Sequence, residues 1–158
     1  MISFRLEFKW AVIYTFFLFI WMIFEVQMGW HDALIAQHHL YTLFFYIPAA
    51  LIYYLALTDK RNNFYGGIMS YRQGFLAGLV ITLCIALLAA PAQYIISTWI
   101  TPDYFENVKA YAVQAGKTTP EEAEAFFNLK SYMIQSVAGS LAIGLLFSAV
   151  LPLLVKRK

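Results

Sequence analysis

Four long apolar runs, near residues 9–29, 33–57, 71–99 and 132–155, constrain this chain more than any other feature. Each exceeds the roughly 18 residues that a helix needs to cross a bilayer core of about 30 Å. A segment inside that core has no water to satisfy its backbone, so the runs predict helices and not loops or open strands. The predicted architecture is all-α: an integral membrane four-helix bundle over residues 1–158, forming one domain. Composition agrees, because only 13% of residues are charged where a soluble domain carries about 25%. Arg5 and Lys9 precede the first run as in a secretory signal, but the run is long and Val26, Gln27, Met28, Gly29 and Trp30 offer no small-x-small cleavage site. It is therefore expected to stay as a permanent helix.

An even number of spans puts both termini and the 58–72 loop on one side, with the 29–37 turn and the 100–131 segment on the other. Eight basic residues (Arg5, Lys9, Lys60, Arg61, Arg72, Lys156, Arg157, Lys158) oppose Glu7 and Asp59 on the first side, a net +6. On the second side Lys109, Lys117 and Lys130 oppose seven carboxylates, a net −4. The positive-inside rule then makes both termini cytoplasmic. Trp10, Tyr53, Tyr54 and Tyr71 are expected at the inner interface, and Trp30, Trp99 and Tyr132 at the outer one. The basic face can attract anionic lipid; the plainer reading is that it only fixes topology.

Between spans three and four, residues 102–131 read as an extracytoplasmic amphipathic helical hairpin. Thr101 and Pro102 form one helix start, and Gly116 is placed to end that helix. Thr119, Pro120 and Glu122 form a capping box, and the second arm is expected to run on into span four. Tyr104, Val108 and Tyr111 share one face. Pro48 and Pro91 are expected to kink spans two and three. Ser136, Ser140, Gly144 and Ser148 recur every four residues in span four, and Gly74 and Gly78 form a shorter stripe in span three. Small residues let helices approach closely where lipid supplies no hydrophobic force between them. Packing within the bundle, a homo-oligomer or docking on another membrane protein would each use such stripes.

Polar groups interrupt the apolar runs at one level. Glu25 lies five residues before Trp30, about 7.5 Å of helix, and His38, Gln93 and Gln135 fall at similar depth in the other spans. An ionisable group in lipid costs about 2.5–3.5 kcal/mol at mid-helix, so it turns to the bundle interior or to a watery cavity. Glu25, with His38, His39 and Gln93, forms the candidate ligand or proton site, set against simple hydrogen-bonded glue. A metal is not expected: His38 and His39 point about 100° apart, and a helical His31 would lie about 10 Å from His38. No facing histidine exists for haem, Cys84 is the single cysteine, and no nucleophile elbow, phosphate loop or HExxH occurs. No cofactor and no nucleic acid are expected.

At RNNFYGGIMSYRQGFLAGLVITLCIALLAA, residues 61–90, at ISTWITPDYFENV, residues 96–108, and in a last span that ends in lysines, the chain resembles the bacterial membrane family catalogued as domain of unknown function 4199. The carrying positions are Gly66, Gly67, Ser70, Tyr71, Gly74, Phe75 and Gly78, then Ile100, Pro102, Asp103 and Tyr104. The resemblance implies four spans in a bacterial inner membrane and no catalytic residues. It also hints at an accessory role beside a polyprenyl-phosphate type glycosyltransferase. On that hint Lys60, Arg61, Ser70 and Arg72, around a tight Gly-Gly turn, become candidates for a lipid headgroup or phosphate. The expected function is a non-enzymatic accessory or scaffold subunit. The alternatives are a small carrier or proton-coupled transport component using Glu25, and a lipid-modifying enzyme.

Overall fold

Each apolar run becomes a helix in the computed structural model, which describes residues 4–157. Lys158, counted above among the basic residues, lies outside the described residues. The first helix, α1, spans Phe4–Gln27. Its interior face is a stripe of Glu7, Ala11, Tyr14, Leu18, Trp21 and Glu25, spaced alternately by four and three residues. That is the coiled-coil repeat, but with a glutamate at each end.

The second run begins with a turn of 3₁₀ helix (Ile35–Gln37), one turn of α2 (His38–Tyr41) and a second 3₁₀ segment (Thr42–Phe45) before α3 (Tyr46–Asn63). Pro48 therefore sits in the first turn of α3, where its missing N–H costs little, and the irregular backbone lies ahead of it. Ser70 caps α4 (Tyr71–Ile95): its hydroxyl accepts from the Gln73 amide, and Gln73 Oε1 accepts from the Ser70 amide at 2.8 Å. Pro91 lies inside α4, which opens into a π turn over Ile96–Ile100. Beyond it come α5 (Tyr104–Gln114), α6 (Pro120–Phe126), α7 (Leu129–Val150) and the single turn α8 (Pro152–Val155). Among the described residues four segments are long and apolar enough to cross a membrane: Phe4–Gln27, Ile35–Asn63, Tyr71–Ile100 and Leu129–Val155.

The centre of the bundle is α4, packed most extensively on α7 and then on α1. Small residues make that approach possible. A Cβ on Gly78 would stand 2.9 Å from that of Ser148, and one on Gly74 would meet Pro152 at the same distance. Gly144 faces Thr82 and Tyr53. Ser136 turns its hydroxyl to Ala89 O on α4 at 3.3 Å, and Ser140 returns its own to Ser136 O. Thr82 Oγ1 joins the Tyr53 hydroxyl (3.1 Å) and Ser148 Oγ (3.2 Å) at the heart of the bundle.

Several expectations change. Tyr53 is a core residue, 2% exposed, and not an interface anchor; Trp30 is buried too, against Tyr41 and Phe24. Thr101 does not cap α5: it is buried, its hydroxyl donates to Ile96 O, and Asp103 precedes the helix without a side-chain cap. The second hairpin arm does not run into the last span. It stops at Phe126, and Asn128 caps a new helix by accepting from the Ser131 amide at 3.0 Å. The capping box at Thr119 and Glu122 is present, and Lys109, paired with Glu106 on its own arm at 2.7 Å, ties the two arms through Glu124 at 2.7 Å.

The headgroup candidates at the end carrying the termini also move. Lys60 is 1% exposed and pairs with Glu7 Oε1 at 2.6 Å, with its ammonium 3.7 Å from the Phe64 ring centroid. Arg61 is buried and donates to Val155 O at 2.9 Å, clamping α3 to the end of the chain. Both cations are turned to the interior. The backbone of Met69 pairs with that of Arg157 beside them. Ser70 is occupied by its cap, and Arg72 alone of the four presents an exposed charge.

Candidate functional site

The site is assembled where α1 ends. Gly29 adopts φ +71°, the left-handed conformation that ends helices with little strain only at glycine. The Trp30 amide bonds back to Glu25 O and the Gly29 amide to Val26 O, a Schellman closure. The chain reverses there, so the turn carrying His31 folds over the last turn of the helix that carries Glu25.

Glu25, fully buried, is the hub. Trp21 Nε1, one turn earlier on the same face, donates to its Oε1 at 2.6 Å. Its Oε2 meets His31 Nε2 at 2.8 Å and His38 Nε2 at 3.3 Å. The two imidazoles stand edge to face with centroids 4.8 Å apart. The estimate of about 10 Å between them fails because residues 28–34 form a turn and not a continuing helix. From the hairpin, the Asn107 amide donates to His31 O at 3.0 Å, and the Tyr104 hydroxyl lies 3.4 Å from His38 Nδ1 and 3.4 Å from the Tyr132 hydroxyl. Burial holds the Tyr104 phenol well above the usual tyrosine range, with Tyr132 adding to the effect, so it stays protonated as a donor. His31 Nδ1 is buried with no hydrogen-bond partner among the described residues.

Two cavities adjoin this cluster. A small one, about 150 Å³, is lined by His31, His38, Gln93, Thr101, Tyr104 and Tyr132, among others. A groove of about 900 Å³ opens between the hairpin, the start of the second run and α7, and His38, Thr42, Tyr104 and Tyr132 border both spaces. His39 and Gln135 line the groove and lie outside the buried cluster. Gln93 lines the small cavity and donates to Ser97 Oγ at 3.0 Å. The structure thus joins Glu25 to His38, places Gln93 close by, and sends His39 elsewhere. It adds His31, Trp21 and Tyr104, which were missed as site residues. Glycine two residues before His31, just after a helix, was the signal that the chain turns back.

Residues 9–157 match the family described as Protein of unknown function (DUF4199). The chain belongs to this family. The match runs through all four helical spans and the hairpin, so the Glu25 cluster and the groove both lie inside the family domain. No curated protein and no solved structure matches the chain.

Proposed function

We propose that this family member is a small membrane-embedded binding component, accessory and not catalytic, whose groove receives the polar end of an amphipathic molecule while the bundle anchors it in lipid. The observation that carries this reading is the groove itself. Its volume suits a small-molecule site of about 300–1,000 Å³, and its lining is amphipathic. Aromatic walls from Tyr104, Phe126, Phe127 and Tyr132 face Lys117 and Glu122. Lys117 donates to the Tyr111 hydroxyl at 2.8 Å, which holds a cation at the rim. The small-residue stripe supports an anchoring role for the body, because Gly74, Gly78, Gly144 and Ser148 are spent on contacts within the chain. The charge asymmetry supports an inner-membrane placement with cytoplasmic termini and the groove on the opposite side.

The test is native mass spectrometry of the protein released from lipid nanodiscs made from its own membranes. A co-purifying amphiphile is expected on the wild type and lost in Ala125→Trp, which fills the groove from an exposed position. Wild type free of any such molecule, or equal retention by the variant, would refute the reading.

A second reading, a proton-coupled transport component, is favoured by one observation. Donor and acceptor groups run without a break from Glu25 through His38 and Tyr104 to Tyr132 at the groove. Glu25→Gln abolishing a transport signal in proteoliposomes without altering assembly would support it.

A further inference from the structure

We propose that Glu25, His31 and His38 form a binding site for a divalent transition metal ion of the zinc class. Each residue offers one ligand atom, and the three atoms all lie within 4.8 Å of one another. Two separations run from Glu25 Oε2, 2.8 Å to His31 Nε2 and 3.3 Å to His38 Nε2. Tetrahedral bonds of about 2.0–2.1 Å place neighbouring ligand atoms roughly 3.3 Å apart. His38 is at that distance already. His31 must draw back from Glu25 by a few tenths of an ångström, and the two imidazole nitrogens, within 4.8 Å of each other, must close toward the same spacing; His31 sits in a turn, where its movement disturbs no helix.

The surroundings supply part of what metal sites require beyond their ligands. Trp21 Nε1 occupies Glu25 Oε1 and leaves Oε2 directed at the histidines. A ligating imidazole keeps its proton on the other nitrogen, where an acceptor holds it: the Tyr104 hydroxyl, whose own proton can go to Tyr132, lies beside His38 Nδ1, whereas His31 Nδ1 has no partner among the described residues. Two imidazoles and one carboxylate provide three protein ligands, and the small cavity bordered by both histidines supplies room for a fourth, exchangeable one. Nitrogen and oxygen donors of this kind suit zinc and its first-row neighbours and not magnesium or calcium, which prefer oxygen alone. The inference does not rest on what fills the groove, since Glu25 and His31 lie outside its lining and only His38 borders it.

The test uses the full chain in nanodiscs, stripped with chelator and titrated with cobalt(II) alone. One cobalt per chain is expected, with a visible ligand-field band that zinc(II) abolishes. Glu25→Gln and His31→Gln should each weaken binding by more than the roughly 10–100-fold that removal of an outer-shell partner costs, whereas His39→Gln should bind as wild type. Should the variants fold poorly, X-ray absorption on the cobalt-loaded wild type decides: two imidazoles in a nitrogen and oxygen shell support the site. A wild type without saturable cobalt binding, a shell lacking two imidazoles, or binding that survives His31→Gln but falls with His39→Gln would overturn it.

Discussion

Replacing Gly144 by alanine should loosen the bundle at its centre. A Cβ there would lie 2.5 Å from Thr82 Oγ1 and 2.8 Å from the Tyr53 hydroxyl, with Thr82 Cγ2 nearer still. No flexible chain end can swing aside, because Thr82 is branched at Cβ and buried, and Tyr53 is buried with it. Overpacking of this kind costs about 1–3 kcal/mol. Separating α4 from α7 also strains the bonds Thr82 makes to Tyr53 and Ser148, each worth about 0.6 kcal/mol between membrane helices. Gly139, on the same helix, is the internal control, since a Cβ there meets nothing within 4 Å. Both substitutions gain the same helix propensity of about 1 kcal/mol. The difference between the two variants, from which propensity cancels, is therefore about 2–4 kcal/mol, and Gly139→Ala alone should stabilise slightly. Unfolding titrations in mixed micelles read both. Thr82→Ala on the Gly144→Ala background should recover part of the loss, a coupling that a double-mutant cycle isolates. Equal stabilities for the two glycine variants would refute the argument that α4 and α7 meet at Gly144.

The buried Glu7–Lys60 pair should behave as a unit: Glu7→Leu or Lys60→Met alone should cost about 3–5 kcal/mol by stranding the partner, while the double variant should lie near wild type. Unfolding in mixed micelles measures all three, and additive losses would count against a buried pair. On the hairpin, the Thr118 hydroxyl and the Thr119 amide hold the Glu122 carboxyl below its ordinary value of about 4.3. A depressed folded pKa contributes stability that is present above that value and lost as pH falls through the folded one. Protection of the 119–126 amides, taken relative to the intrinsic exchange rate at each pH, should therefore fall on acidification below about pH 4.3, and Glu122→Gln should weaken that dependence; an unchanged profile in the variant would rule out this contribution.

Much of the architecture was legible because the bilayer acts on length and polarity, which sequence displays directly. The four spans, the Gly66–Gly67 turn and the Thr119 capping box depend on neighbours a few residues apart, and local chemistry decides them. The buried face of α1 was open to the same reasoning: Glu7 and Glu25 are 18 residues (25 − 7) apart, five full turns at 3.6 residues per turn, and so share one stripe. Lys60 as the partner of Glu7 was not legible, because charge counts cannot separate a cation facing water from one drawn inward by a buried carboxylate. The same blindness made Tyr53 an interface anchor and Arg61 a headgroup ligand. Sequence alone determined that this chain forms four apolar helices with a polar layer near one end, since solvation of backbone and side chains depends on composition along the chain. Only the tertiary structure decided that Glu25 meets His31 and His38, because that meeting rests on the reversal at Gly29, the irregular start of the second span and the hairpin laid over both. Those three features set directions in space, and no periodicity along the chain encodes them.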